Sequence, residues 1–301
     1  IIKEFSKYII FMSSIGHNFK EPKYEFLRSL NKFGFNIETI IGTNYKNTNK
    51  FSEEECKNSK NILFYTGYMN FKWNYTYSLN NSLGGSESAV INLALTFPKN
   101  YNIYITGNVE EENVDNIYFI STDNLDKLFN SMPFYYVIVS RYIDFYEKYY
   151  NAYYYRSLIW AHDIRLLNYG VEMGVNDILD KWNKKISYCI CQTEWHQNLF
   201  QSLYSSLASK LTNINNGISI EKFVYEPFKI VNRFIYTSCA ERGLNKLLDL
   251  WPQITQNLPN CELLICSYND FPRDDNEVMI QHKIKQYKNV AHLGKLDKNK
   301  L

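Results

Sequence analysis

A pair of glycines followed by a serine is the best candidate in the sequence for binding an anion. Gly84 and Gly85 let the backbone turn sharply and approach a ligand closely, and the Ser86 hydroxyl can cap the first turn of a helix. Apolar residues follow at helical spacing, at Ala89, Val90, Leu93, Ala94 and Phe97. Because a helix N-terminus carries unpaired N–H groups and the positive end of the helix dipole, this loop favours a phosphate or a carboxylate. The alternative is an ordinary turn with no ligand, since short glycine motifs are weakly specific.

Polar residues also follow two of the predicted strands. His162 and Asp163 come one residue after the predicted strand 157–160, and Glu194 follows the strand 187–191. Ligand sites of parallel sheets collect at the carboxyl ends of the strands. A histidine beside a carboxylate can take part in proton transfer there, and a purely structural histidine is the alternative.

A regular alternation of strands and helices must position these residues. From Asn61 onward, apolar runs of four to six residues alternate with polar or helical segments, which predicts an α/β, Rossmann-like domain with a parallel sheet covered on both faces. The predicted strands of this domain are 62–65, 101–106, 117–120, 135–140, 157–160 and 187–191.

A second α/β domain begins after the turn-forming pair Asn216-Gly217. Its predicted elements are a strand at 233–237, a helix from 243 to about 254 and a strand at 262–266. Arg242 stands where that helix begins, and an arginine there either binds phosphate or is simply exposed to solvent.

We therefore predict a first Rossmann-like domain over 58–228 and the first part of a second over 229–301. The second segment has about half the length of a doubly wound domain, so we expect the natural chain to continue beyond Leu301.

The residues before these domains have a weaker pattern. They predict a strand at 7–12, a helix at 21–34 and a strand at 35–41, and the polar composition of 44–60 is typical of a linker or an exposed segment. We interpret residues 1–57 as a β/α appendage or the end of a preceding domain.

Composition excludes several classes of protein. Hydrophobic residues make up 45% and charged residues 21%, which is typical of a globular chain and not of a disordered one. The net charge is +2 and the Lys and Arg residues are spread along the chain, so nothing indicates a nucleic-acid surface. No apolar run is long enough to span a membrane, and we expect no transmembrane segment, while peripheral membrane contact stays open.

The six cysteines form no C-x-x-C pair and have no histidines at zinc spacing. Cys189 and Cys191 alternate along a predicted strand and should share one buried face. We expect reduced thiols, no structural metal and a cytoplasmic protein.

Five motifs, taken in order, resemble those of the retaining nucleotide-sugar glycosyltransferases of family 4, also called glycosyl transferases group 1. They lie at 84–87, 159–163, 192–200, 215–218 and 236–244, so that the resemblance covers residues 61–301. It implies the GT-B fold, in which two Rossmann-like domains with parallel sheets face a cleft. It also implies transfer of a sugar from a nucleotide-diphosphate donor to an acceptor with retention of configuration, as by a hexosyltransferase of glycan biosynthesis.

The resemblance also assigns roles to residues. Arg242 matches the basic residue of the family's Lys-Gly or Arg-Gly pair, which holds the donor diphosphate, and His162 would approach the transferred sugar; these two are the catalytic candidates. Asp163 and Glu194 are candidates for support. The residues assigned to donor binding are Gly84, Gly85, Asn216, Gly217 and Arg242. No metal and no cofactor beyond the donor substrate is expected, since arginine and helix dipoles would replace a divalent cation.

One departure from the family limits what we expect of this chain. The family carries two glutamates, with seven residues between them, late in the second domain, and nothing after Leu264 matches them. We expect the chain to lack the residues that hold the donor sugar and ribose and to be inactive by itself.

Two other functions stay open. A sugar-nucleotide epimerase of the same architecture needs acid and base carboxylates in the cleft, for which Asp163 and Glu194 are the candidates. A non-catalytic, transferase-like interaction module would bind no donor. The acceptor, whether glycan, lipid or protein, is not fixed by the sequence; the aromatic residues of 66–82 either stack on sugars or pack in the core.

Overall fold

The residues described by the computed structural model are 50–218, 229–267, 272, 274–294 and 296. The chain divides into two compact units, Ile1–Lys50 and Phe51–Leu301. The predicted strands 7–12 and 35–41 and the helix 21–34 lie outside the described residues.

An eight-stranded sheet dominates the described structure, and its strands alternate with helices as predicted. The strands are β1 (Asn61–Tyr65), β2 (Asn102–Gly107), β3 (Glu112–Val114), β4 (Ile117–Ser121), β5 (Phe134–Ser140), β6 (Tyr154–Trp160), β7 (Ile186–Cys191) and β8 (Leu211–Asn213). Their order is β3-β4-β2-β1-β5-β6-β7-β8, and all neighbours are parallel except β3 and β4. The predicted strands of this domain are confirmed, and the three-residue strands β3 and β8 are additional.

The chain changes its direction of growth across the sheet between β1 and β5. From β1 it continues to β2 and β4 on one side, whereas β5 is followed by β6, β7 and β8 on the other. The connections that leave β1 and β5 therefore diverge. In open parallel sheets this divergence leaves a crevice outside the carboxyl ends of the two strands, where ligands bind.

Helices cover both faces of this sheet. They are α1 (Glu53–Asn58), α2 (Tyr75–Asn80), α3 (Gly85–Ala94), α4 (Leu125–Ser131), α5 (Phe145–Lys148), α6 (Val175–Trp182) and α7 (Glu194–Leu203). Along β1, Ile62 and Phe64 join one apolar cluster, while Leu63 and Tyr65 join another. Because a strand points alternate residues to opposite faces, both faces are buried, and this explains the continuous apolar runs in the sequence.

Helix α1 corrects one prediction. The polar composition of 44–60 is typical of a linker or an exposed segment. Five of the six residues Glu53–Asn58 are exposed, but they form helix α1, which packs against β5 and β6. The Ser52 hydroxyl accepts a hydrogen bond from the Glu55 N–H at 3.1 Å, and the Glu55 carboxylate accepts one from the Ser52 N–H at 2.7 Å. This capping box, together with the buried Cys56, outweighs the polar composition. The linker prediction is therefore wrong for Glu53–Asn58.

A second sheet contains three parallel strands. They are β9 (Arg233–Tyr236), β10 (Glu262–Cys266) and β11 (Val290–Gly294), in the order β11-β10-β9. Two helices, α8 (Leu244–Asn257) and α9 (Asp275–Gln286), share an apolar core with this sheet through Leu248, Trp251 and Ile280. The strands and the helix predicted for this domain are confirmed, and α8 extends three residues further than predicted.

The cysteines are all free thiols. Cys189 and Cys191 are fully buried and belong to the same apolar cluster, as the period of two along β7 predicts. Within the ranges given above, no helix is long and apolar enough to cross a lipid bilayer.

Candidate functional site

A cleft of about 990 Å³ opens beyond the carboxyl ends of β1, β5 and β6. The loop after β1 and the start of α3 form one part of its wall, the loops after β5 and β6 form another, and residues of the β9–α8 loop complete it. Six of the eight residues proposed from the sequence line this cleft: Gly84, Gly85, His162, Asp163, Asn216 and Arg242. The topology and the motifs therefore indicate the same location.

The other two predicted residues do not line the cleft. Glu194 is exposed in the first turn of α7, where the positive end of the helix dipole stabilises its carboxylate. Gly217 is exposed, and no described atom lies within 4 Å of the position that a β-carbon would take there. The two carboxylates that an epimerase would use are therefore not both lining residues.

The two glycines at the start of α3 differ in their surroundings. A β-carbon on Gly84 would overlap the Glu87 Oε2 atom, whereas a β-carbon on Gly85 would meet no described atom within 4 Å. The Glu87 carboxylate is buried and also accepts a hydrogen bond from the Ser86 hydroxyl at 2.9 Å. Gly84 thus makes room for an internal carboxylate, and only Gly85 leaves open space that a ligand can approach.

Arg141 is a lining residue that sequence reasoning missed. It follows β5 directly, and its guanidinium lies between two carboxylates: Nη2 is 2.5 Å from Glu87 Oε1 and Nη1 is 3.3 Å from Asp163 Oδ2. Only 16% of the Arg141 side chain and 3% of the Glu87 side chain are exposed. A buried pair of this kind is stable only if both partners are present, because either charge alone would be desolvated without compensation.

The backbone of Arg141 is unusual as well. Its φ is +67°, a left-handed conformation that is uncommon for a residue other than glycine. Two hydrogen bonds hold it there, since the Arg141 N–H donates to the Trp160 carbonyl at 3.2 Å and the Arg141 carbonyl accepts from the Leu167 N–H at 2.9 Å. Backbone conformations of this kind cluster at functional sites, where surrounding contacts maintain them.

The loops after β1 and β5 meet closely at Gly67. Its φ is +66°, and a β-carbon there would overlap the ring of Tyr142, the residue after Arg141. The absence of a side chain at this position lets the two loops pack against each other at the mouth of the cleft.

His162 is half-buried, and its ring centroid is 4.5 Å from that of Trp160. The pKa of His162 is lowered from 6.5 to about 4, first by burial and then by the nearby positive charge of Arg141, against the opposing effect of Asp163. The imidazole is therefore neutral at neutral pH. Its Nε2 atom is buried and makes no hydrogen bond with the described residues. A buried polar atom of this kind in a cleft is a candidate contact for a ligand or a water.

His196 ties the His162 loop to helix α7. Its Nδ1 accepts a hydrogen bond from the Gln192 N–H at 3.2 Å, so the ring proton is assigned to Nε2, which donates to the Asp163 carbonyl at 2.9 Å. The His196 N–H donates in turn to the Thr193 hydroxyl, the cap of α7, at 3.1 Å. His196 is buried and serves the geometry of the loop without lining the cleft.

Arg242 differs from Arg141 in its exposure to solvent and in its partners. It is exposed, it lies in the short 3₁₀ turn Ala240–Arg242, and its N–H donates to the Cys239 carbonyl at 3.0 Å. Gly243 follows with φ +110°, which L residues rarely adopt, and so allows α8 to start directly after this turn. Among the residues that the structure describes, no carboxylate pairs with the Arg242 guanidinium, which is therefore available to an anion in the cleft.

Aromatic residues of 66–82 also reach the cleft, among them Tyr68, Phe71 and Tyr77. Tyr68 is 44% exposed and stacks on Tyr169, with ring centroids 4.2 Å apart, whereas Phe71 and Tyr77 contact each other at 5.4 Å. Part of this segment thus packs on itself, and Tyr68 offers an aromatic surface at the mouth of the cleft. As for metals, the described ranges contain no group of three or more His, Cys, Asp or Glu residues that could hold an ion.

Comparison with known proteins shows the fold. No protein-family model matches the chain, and no curated protein gives a significant match. The structure is similar to that of HepE from Anabaena in complex with UDP-glucose, with a TM-score of 0.50, 15% identity and coverage of 78% of this chain and 68% of that one. For HepE in complex with UDP, the TM-score is 0.51 at 14% identity, with coverage of 78% and 69%. The predicted GT-B-like α/β architecture is thereby confirmed.

Proposed function

We propose that this chain binds the diphosphate of a nucleotide-sugar donor in the cleft and belongs to an enzyme that transfers the sugar to an acceptor with retention of anomeric configuration. Because it lacks the family's pair of glutamates, we propose that it is inactive by itself. The observation that carries the proposal is that Arg242, which no carboxylate of the described residues pairs with, lines the same cleft as the open N-terminus of α3. Sugar transfer leaves negative charge on the departing diphosphate, and prepositioned cations and N–H dipoles stabilise that charge. HepE, whose fold is similar, is known in complex with UDP-glucose, which supports this class of donor.

Each lining residue has a role in the proposal. Arg242 binds the diphosphate and Gly85 lets it approach the first N–H groups of α3, while Asn216 contributes from the crossover between the sheets. The neutral imidazole of His162 faces the transferred sugar, where its Nε2 atom, which has no partner among the described residues, can accept or donate a hydrogen bond with a hydroxyl according to its tautomer. Arg242 and the helix dipole supply the positive charge, so the proposal includes no metal and no further cofactor.

Retention and a role in glycan biosynthesis rest on the five motifs that resemble family 4. The free thiols support the cytoplasmic location that we propose along with them. The epimerase alternative loses support, because Asp163 and Glu87, the carboxylates of the cleft, are both engaged by Arg141. An acid and base pair would have to be free to exchange protons.

Calorimetry tests the diphosphate site directly. We expect UDP or GDP to bind this chain, and uridine or guanosine, which lack the diphosphate, to bind at least about tenfold more weakly. UDP-glucose is titrated alongside to detect any contribution from the sugar. If the nucleosides and the diphosphates bind equally, or if none of them binds, the diphosphate site is refuted and the interaction-module alternative gains support. In any preparation that transfers the sugar, the proton NMR signal of the anomeric hydrogen in the product shows whether the configuration is retained.

A further inference from the structure

Arg141 contacts the turn that carries His162 on both sides of the histidine. On one side, the Arg141 N–H donates to the carbonyl of Trp160 at 3.2 Å. On the other, its guanidinium pairs with the carboxylate of Asp163 at 3.3 Å. His162 is thus held between two anchor points that belong to one residue.

Arg141 is itself held by Glu87. This carboxylate lies on α3, 54 residues away in sequence, and is 3% exposed, so its pairing with Arg141 is shielded from solvent. The Ser86 hydroxyl binds its second oxygen and fixes its orientation. The position of the His162 turn is therefore linked through Arg141 to the start of α3, which is the other wall of the cleft.

We propose that Arg141 is the positioning residue for His162, fixing its turn through Trp160 and Asp163 while Glu87 fixes Arg141. The inference rests on the proposed function only in taking His162 as the group that faces the sugar. Arg141 pairs with two carboxylates of the protein, so its role is to orient the histidine and set its electrostatic surroundings. Arg242, which pairs with no carboxylate of the described part of the chain, remains the residue for the ligand anion.

The charges around His162 support this role. Arg141 faces it from the loop after β5, Asp163 from its own loop and His196 from α7, and Glu87 lies behind Arg141. After burial, Arg141 is the largest influence that lowers the pKa of His162, whereas Asp163 raises it. Removing the two charges should therefore have opposite effects on the histidine, which a loss of packing alone would not produce.

NMR titration of the full chain with labelled histidines tests the proposal. The His162 signal is assigned from its absence in the His162→Gln variant. We expect Arg141→Met to raise the pKa of His162 from about 4 towards its ordinary value, and Asp163→Asn to lower it below the wild-type value. Arg165→Met is the matched control, because Arg165 is exposed, lies three residues from His162 and is not among the charges that influence it.

The outcomes are distinct. The proposal is overturned if Arg141→Met leaves the pKa of His162 unchanged, or if both variants move it in the same direction.

If Arg141→Met does not fold, Glu87→Gln replaces it. In that variant Arg141 keeps its charge but loses the carboxylate that holds it, so the pKa of His162 should stay at or below about 4 while amide exchange at 162–163 becomes faster. Unchanged exchange in that variant would contradict the link. UDP affinity is measured separately, so a failure of the diphosphate site does not alter this test.

Discussion

Two arginines line the same cleft, and they differ in what surrounds them. Arg141 is largely buried between two carboxylates and has a strained backbone, whereas Arg242 is exposed and pairs with no carboxylate among the described residues. Both are cations facing one volume, so charge alone does not identify the residue that binds a ligand. The ligand-binding residue is identified by whether carboxylates of the protein already pair with it, because an anion binds most strongly to a cation that the protein has not neutralised.

The comparison is tested most strongly by giving both arginines the same substitution and measuring stability. Arg141→Met leaves the buried Glu87 carboxylate unpaired and should lower the free energy of unfolding by about 3 kcal/mol. Arg242→Met removes an exposed side chain and should change the free energy of unfolding by less than about 0.5 kcal/mol. Urea denaturation of the two variants and the wild type measures both values. Equal losses in the two variants would mean that the buried pair does not stabilise the fold.

The pH dependence of stability sharpens the comparison at His162, the neighbour of Arg141. Its pKa in the folded state, about 4, lies below the ordinary 6.5, so the unfolded chain binds its proton more readily. The resulting stability is present above about pH 6.5 and is lost as the pH falls towards 4. Between about pH 7 and about pH 4.5, the wild type should lose about 2 kcal/mol more than His162→Gln. Identical losses in urea titrations at the two pH values would place the folded pKa near its ordinary value.

Arg242 should matter more than Arg141 for ligand affinity, the reverse of their order for stability. Arg242→Met is expected to weaken UDP binding by at least about tenfold, or about 1.4 kcal/mol, since it removes the exposed cation that lines the cleft. Arg233→Met is the control on the same sheet, because Arg233 lies in β9, pairs with Glu262 and does not line the cleft. Calorimetry that finds equal UDP affinities for both variants would exclude Arg242 from the diphosphate site.

The smallest expected effects are on the free energy of unfolding, and they differ in sign between Gly84 and Gly85 in the cleft wall. Gly84→Ala must displace the Glu87 carboxylate from Arg141 and should cost about 1 kcal/mol of stability. Gly85→Ala meets open space and improves helix propensity, so it should add about 0.5 kcal/mol. Thermal and urea unfolding of both variants checks the signs. A stabilising Gly84→Ala would show that Glu87 moves aside freely.

Much of the fold was predictable from the sequence because the longer strands of the parallel sheet are short, mainly apolar runs bounded by polar residues. Helix α1 escaped prediction although its signal was present, since Ser52 and Glu55 have the spacing of a capping box inside a polar stretch. Composition averaged over that stretch outweighed a local motif. Strands β3 and β8, with three residues each, are too short for periodicity to detect.

The candidate site was predictable only in part, for a physical reason. Strand ends and glycine loops mark where a cleft forms, and this is why His162, Asp163 and Gly85 were found. Arg141 directly follows the predicted strand 135–140, so its strand-end position was a signal that could have found it. Its pairing was not predictable, because it depends on a left-handed backbone and on a carboxylate 54 residues away, and neither leaves a local pattern. The sequence also could not distinguish the reasons for the two glycines, since the space that Gly84 provides is taken up by a side chain from the next turn.

The close contact at Gly67 has a consequence for sequence variation. Two independent requirements act on this position, a left-handed φ of +66° and the absence of any atom where the Tyr142 ring lies. Asparagine, which tolerates the first, would still violate the second. In a library that randomises Gly67 and is selected for folded protein, recovered clones should therefore carry glycine alone, unless position 142 is allowed to shrink at the same time. The two loops at the mouth of the cleft can then diverge in evolution only as a pair.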